Sequence, residues 1–373
     1  MYKSKLFLLF VVVVLAALLA VPLAACRAPA PAPSPAPSPT PTPTPAPAKP
    51  AAKPIELKWT THEPNIPGVS TDVLRNLAKQ VAEKTEGRVT IKIFWGAVLG
   101  KVTDWLKMVG EGGVAQGGFI IPTYHQWEIP LFAASGLPFF TKGYRVAPKA
   151  IWELYKEWPL MQDEMKRAKV KPLGAFQPHA HWVGVKQPFT SIDELKGKKV
   201  WAAGFWMELA NAFGIVNVAM TAPEVYDALQ KGVITGIIGM PYHTFRTFKY
   251  YEMTKVLVEW PFGGQPVNFL GVNQDVWDNQ ISPEDQKTIE KIALDLQFDW
   301  FVKAQDEEAA ALSKFFKDNG VTEIKLSAEE LAKIEKVGKD VIWNSWLKTA
   351  KEKGVPGEEW MKRYQEKVNA LSK

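Results

Sequence analysis

The sequence predicts an α/β protein built on open, mostly parallel sheets, and three stretches carry that prediction. Between Ile55 and Ile121 strand-like and helix-like periodicities alternate, ending on a glycine-rich strand. From Thr221 to Gly239, TAPEVYDALQKGVITGIIG, a short amphipathic helix feeds a buried apolar run through Gly232. After Ser282-Pro283 no Pro or Gly interrupts the chain until Gly320, which reads as one long helix or two abutting ones.

Taken in order, IELKWT (Ile55 to Thr60) alternates as a first strand. Ser70 or Thr71 starts a helix with Val73, Leu77 and Val81 at helical spacing, and Gly87 stops it. Val89, Ile91 and Ile93 alternate with Arg88, Thr90 and Lys92, a strand with one wetter face. A helix from about Thr103 to Glu111 precedes the strand GGFIIP at Gly117, and one helical segment spans about Tyr144 to Arg167. The apolar run Val170 to Phe176 leads into QPHAHWVGV, a candidate crossing between lobes. Ser191-Ile192-Asp193-Glu194 is a capping-box pattern, Val200 and Trp201 sit on a short strand, and a helix runs from about Met207 to Phe213. In the stretch after it, Thr221 caps a helix to which Glu224 reaches back, and Val233-Ile234 with Ile237-Ile238 form a buried parallel strand. VNFLGVNQ (Val267 to Gln274) reads as a returning strand and VTEIKL as a last one. Ser327 caps a helix with Leu331, Ile334, Val337, Val341 and Ile342 on its apolar side, and a terminal helix begins near Glu358.

The first 54 residues cannot belong to such a core. Lys3 and Lys5 precede an apolar run from Leu6 to Ala25, and Leu23-Ala24-Ala25-Cys26 resembles a lipobox. Residues 1–25 are therefore expected to be a lipoprotein signal peptide, the alternative being an uncleaved membrane helix, since the run is long enough to span a bilayer. Cys26, the only cysteine of the 373 residues, is the expected lipid anchor, and a lone cysteine leaves no disulfide. Residues 26–54 are rich in Pro and Ala and favour an extended tether, reaching roughly 80 Å at about 3.1 Å per residue. The expected place of the body is outside the cytoplasm, at a membrane surface. Its charge is mild: 45 basic against 39 acidic residues give +6, or +4 without Lys3 and Lys5. Lysines mixed with acids along predicted helices argue against a nucleic-acid partner.

Several phrases add a resemblance. EVYDALQKGVI resembles the E-V-Y-x-A-L-Q-x-G-V-x-D-G stretch of the DctP-like solute-binding proteins of TRAP (tripartite ATP-independent periplasmic) transporters, with Thr235 where that family carries Asp. EKTEGRVTIKIFWGAVLG, Leu137-Pro138-Phe139-Phe140, SIDELKGKKV and VNQDVWDNQISPEDQKTI are similar to further family phrases, in the same order. The resemblance implies a two-lobed, periplasmic-binding-protein-like fold with a long lobe-bridging helix. Lobe I would comprise 55–178 with 266–304, and lobe II 179–265 with 305–373 and bracing helices. It further implies ligand capture by hinge closure, small and large permease subunits as membrane partners, no cofactor and no catalysis.

Within that resemblance the departures fall on the residues that matter for the ligand. Trp201 stands where the family carries an arginine that clamps a carboxylate, Gly239 where many members have Asn, and His181 where some acid-sugar binders carry a second arginine. The candidate ligand-binding residues are Trp201, His181, Phe205, Gly239, Tyr242, His179 and Trp95, with aromatic packing expected to take over from charge. Lys199 and Arg246 read as solvated charges. His179 and His181 share a strand face and have the spacing of two metal ligands, but no third ligand follows at a recognisable spacing. No G-x-S-x-G is present, and GEGGVAQGG (Gly110 to Gly118) lacks the spacing and lysine of a phosphate loop. Two other readings stay open: a binding lipoprotein serving another transporter or a sensor, and an exported enzyme using His179 and His181.

Overall fold

Eleven strands form two sheets in the computed structural model, which describes residues 54–141, 143–202, 204–220 and 222–372. The leader, Cys26, the tether and the Thr221 cap lie outside the described residues. The strands are β1 (Ile55–Thr60), β2 (Val89–Phe94), β3 (Gly117–Ile120), β4 (Val170–Pro172), β5 (His181–Val185), β6 (Lys199–Ala202), β7 (Val216–Asn217), β8 (Gly236–Pro241), β9 (Val256–Glu259), β10 (Phe269–Asn273) and β11 (Thr322–Ile324).

The first sheet has the order β2-β1-β3-β10-β4 and the second β11-β9-β5-β8-β6-β7. Each is parallel but for one strand. β10 runs antiparallel to β3 and β4, and β5 antiparallel to β8 and β9. Both odd strands are reached from the other sheet by an extended crossing, so their direction follows from the crossing rather than from a local helix connection, whereas β11, reached through helices, is parallel to β9. Mostly parallel sheets with an α/β fold are thus what the chain adopts.

Two expectations change in detail. The helical segment after Tyr144 is two helices, Ala147–Glu157 and Pro159–Arg167, because Trp158 precedes a proline and takes an extended backbone (φ −110°, ψ 107°). The strand after Gly232 begins only at Gly236: Val233 is 46% exposed, and its N–H bonds back to the carbonyl of Ala228 as the helix Ala222–Gln230 ends.

The uninterrupted stretch after Pro283 is one continuous helical rod, Pro283–Asp295 and Phe301–Asp318, joined by a π-helical turn over Leu296–Trp300. Gln297, in that turn, donates to the carbonyls of Leu173 and Ala293, and Gln305 donates to the Gln177 carbonyl (3.0 Å). Eight residues of helix rise about 12 Å, and the four from Leu173 to Gln177 span about 13 Å when extended. The rod therefore runs alongside the first crossing and grips it twice.

Three apolar clusters hold the whole together. One fills the outer face of the first sheet around Leu57, Trp59, Val81 and Phe301, and one the outer face of the second around Trp201, Val225, Ile237 and Phe316. The third is shared: it takes Ile120, Val183, Ala202 and Trp206 together with Trp346, Trp360 and Tyr364 of the C-terminal helices. Among the described residues no helix is long and apolar enough to cross a membrane.

Candidate ligand cleft

In open α/β sheets ligands gather beyond the carboxyl ends of parallel strands. Here those ends of the two sheets face one another. From the first sheet come His62 and Glu63 after β1, and Thr123 to His125 after β3. From the second come Phe205 and Trp206 after β6, and Tyr242 and His243 after β8. Phe205 lies 3.6 Å and Pro266 3.4 Å from where a Cβ on Gly136 would stand, so the loop after β6 and the second crossing both meet the helical turn Ala134–Gly136 that follows β3.

Trp206 is the centre of the contact. Its indole is fully buried, edge-on to Phe139 (5.9 Å), Trp260 (5.6 Å) and His181 (6.0 Å), and its Nε1–H donates to His181 Nδ1 (2.8 Å). Two glycines make room. A Cβ on Gly239 would lie 2.0 Å from the Trp206 ring, and one on Gly264 2.5 Å from it. Gly239 also has φ +81° and sits at the register shift between β5 and β8, a bulge that only glycine accommodates easily.

A ladder of glutamines ties the crossings beneath this contact. Gln305 Nε2 donates to the Gln177 carbonyl (3.0 Å), and Gln177 Nε2 donates to the Gln265 carbonyl (2.9 Å). All three side chains are buried. They belong to the rod and to the two crossing strands, so every passage of the chain between the sheets is linked to the next. The separations in sequence, 128 and 88 residues, put this ladder beyond any local pattern. The available signal was the dipeptide Gln-Pro at both crossings, 177–178 and 265–266, where the proline keeps the glutamine extended.

The histidines are held neutral by burial. His179, buried at the first crossing, is pushed down to about 4. It donates from Nε2 to the Gln305 carbonyl (3.0 Å), which leaves Nδ1 to accept from His243 Nδ1 (3.4 Å). His181 is pushed down to about 3 for the same reason, and His243 well below its usual range by burial and then by His179. Burial raises the Glu63 carboxyl to about 7. Arg246 pairs with the largely buried Glu308 of the rod (2.9 Å), so it is not the solvated charge that position alone suggested, and Arg145 pairs at the surface with Asp306 (2.6 Å). Lys199 is exposed.

Of the residues singled out from sequence, His181, Phe205 and Gly239 meet at or beside the Trp206 contact, while His179 lies with His243 (5.4 Å between rings) and Tyr242 (6.4 Å). Trp201 is placed otherwise. Trp201 packs in the outer cluster of the second sheet, and its N–H donates to the Met220 carbonyl (3.0 Å). Tyr242 stacks on Trp182 (4.6 Å), meets Phe316 edge-on and donates its hydroxyl to Glu323, burial and that carboxylate together raising its pKa. Trp95 lies half-buried beyond β2 under the Arg75 guanidinium (4.9 Å). Trp206, Gln177, Gln265, Gln305 and Glu63 were not among the candidates. Among the described residues no three His, Cys, Asp or Glu side chains are placed to hold a metal ion.

A concavity of about 870 Å³ lies elsewhere, among the C-terminal helices, lined by Phe140, Lys336, Trp343 and Lys362 among others. It is open to solvent and shares no residue with the strand ends, where the buried polar groups concentrate.

Comparison with known proteins agrees with this architecture. The outer membrane transporter protein TsaT of Comamonas testosteroni is 25% identical over 309 residues, 80% of this chain and 87% of its own length. A marine-metagenome TRAP solute-binding protein specific for aromatic acid ligands, solved with 3-hydroxybenzoate, superimposes with a TM-score of 0.76 at 23% identity, covering 86% of this chain and all of its own. A TRAP solute-binding protein of Rhodoferax ferrireducens, solved with copurified benzoate, gives 0.76 at 20% identity and coverages of 85% and 98%. Residues 66–349 match the pattern of the bacterial extracellular solute-binding proteins of family 7. With the sheet order, the bracing rod and that match in hand, the chain belongs to family 7 of the bacterial extracellular solute-binding proteins, the DctP-like family of TRAP solute-binding proteins.

Proposed function

We propose that this solute-binding protein is a lipid-anchored, extracytoplasmic receptor that closes two lobes on a small aromatic or amphipathic carboxylate and delivers it to the small and large subunits of a TRAP permease. Lobe I is 55–178 with 266–304, and lobe II is 179–265 with 305–373. The observation that carries the ligand class is the make-up of the strand-end region: the aromatic pair Phe205 and Trp206, the latter fully buried, neutral histidines, and arginines 145 and 246 each paired with an acid of the rod. A dicarboxylate needs two cationic partners, and desolvating it without them is costly. An aromatic acid brings one charge and a ring that stacks. The aromatic acids bound by two similar solved proteins support the same class.

Closure is the test. Small-angle scattering with saturating benzoate or 3-hydroxybenzoate is expected to show a smaller radius of gyration than the unliganded protein, and no change with succinate. A profile that no aromatic acid alters would count against the proposal. The anchor is tested separately: Cys26→Ser should abolish incorporation of a fatty-acid analogue during growth, and equal labelling of variant and wild type would reject it.

A further inference from the structure

We infer that the side-chain amide of Gln265, at the floor of the cleft, reads an uncharged hydrogen-bonding group of the ligand, a hydroxyl or a carbonyl beside its ring. The inference rests on the solute-binding reading above and deepens it.

Four glutamines are buried along the crossings, and three of them have placed their amide N–H groups. Gln177 donates to Gln265, Gln297 to Leu173 and Ala293, and Gln305 to Gln177, all to backbone carbonyls. Gln265 is different. It is 1% exposed, its own backbone carbonyl is taken by Gln177, and yet both Nε2 and Oε1 of its side chain lack a hydrogen-bond partner among the described residues. Two further acceptors close by in the chain or the ladder are in the same condition, Asn268 Oδ1 and Gln305 Oε1.

A buried amide left without partners costs more than the leucine that would fill the same space, so its presence calls for a partner that arrives. Its neighbours say where. Gly264, before it, lies under the Trp206 ring, and Pro266, after it, abuts Gly136 where Phe205 also packs. The backbone on either side of the amide is thus seated beside Trp206 and near Phe205. The amide offers donors and an acceptor in one plane, which suits a hydroxyl, able to give and to take, better than it suits a bare ring edge. The ligand class this favours is an aromatic or amphipathic acid carrying a hydroxyl or carbonyl substituent.

Calorimetric titration of the purified protein with benzoate and with 2-, 3- and 4-hydroxybenzoate tests this. Wild type is expected to bind one hydroxylated isomer at least about tenfold more tightly than benzoate, as sites built to bond a hydroxyl do. Gln265→Leu and the unbranched Gln265→Met should remove that preference while holding benzoate affinity within about twofold. Thermal unfolding of the unliganded variants should occur at or above the wild-type temperature, since a partnerless amide is removed; a lower temperature for both would mean the amide serves the fold, and would overturn the inference. It is also overturned if the preference is absent in wild type, persists in the variants, or is lost together with benzoate binding. If wild type binds none of the four acids, the aromatic-acid reading itself fails, and the inference with it.

Discussion

Trp206→Ala is expected to destabilise the protein by about 3–5 kcal/mol, the range for removing a fully buried tryptophan. The loss has three parts with separate structural causes. The ring vacates the space bounded by Gly239, Gly264, Phe139 and Trp260, and those two glycines have no side chains with which to refill it. His181, held neutral, loses the donor to its Nδ1 and is left with an unsatisfied buried acceptor. Contacts between the loop after β6, the second crossing and the Pro138-Phe139 turn are removed at once. Trp206→Phe keeps most of the ring and drops the hydrogen bond, so its cost should be nearer 1–2 kcal/mol. Urea denaturation followed by circular dichroism measures both. An alanine variant within 1 kcal/mol of wild type would show that the contact is dispensable.

The second large effect is with pH. His179 and His181 bind a proton in the folded protein only near about 4 and about 3, whereas in the unfolded chain they do so near 6.5. Below 6.5 the unfolded state therefore gains protons that the folded state refuses. Stability falls as pH drops from 6.5 towards those folded values, by at most about 1.4 kcal/mol per pH unit for each histidine. Glu63 and Glu164 act in the opposite sense. Burial raises both to about 7 from about 4.5, so the stability they add is complete at low pH and is lost as pH rises from 4.5 to 7. The two sets oppose each other in the window between, and the wild-type profile alone cannot separate them. His181→Asn can. Its carboxamide oxygen takes the place of Nδ1 as acceptor for Trp206 but binds no proton. Relative to wild type it should gain on the order of 2–3 kcal/mol between pH 6.5 and 4, read from urea midpoints at several pH values. A difference that does not change with pH would mean that His181 takes up its proton without penalty.

How much of this was legible before any coordinates can be judged residue by residue. The capping box at Ser191 forms as its spelling requires, with Glu194 bonded to the Ser191 N–H, and Ser282 and Ser327 cap their helices. These are contacts within three residues, and local chemistry decides them. The break at Trp158 was equally readable, since Pro159 disfavours a helical residue before it, and the longer apolar pattern obscured it. The choice between Trp201 and Trp206 was not. Five residues apart and of one type, they differ in what surrounds them. The strand's alternation turns Trp201 to the outer cluster, while Trp206 lies past the strand end, where His181, Gly239 and Trp260 of its own sheet meet the Phe139 turn and the second crossing around it.

The sequence by itself determined the class of fold, most of the strands and helices though not β7 or β9, and the phrases that mark the family, because periodicity, caps and turn residues act over a few positions. Only the tertiary structure decided which aromatic packs against the second crossing, that the histidines are neutral, that Arg246 is engaged, and that Gln177, Gln265 and Gln305 join the crossings. Each of these depends on burial or on a partner some 60 to 130 residues away, or, for the two tryptophans, on which sheet face or strand end the backbone presents to another element. Desolvation and long-range hydrogen bonding come into being only when the chain has closed on itself.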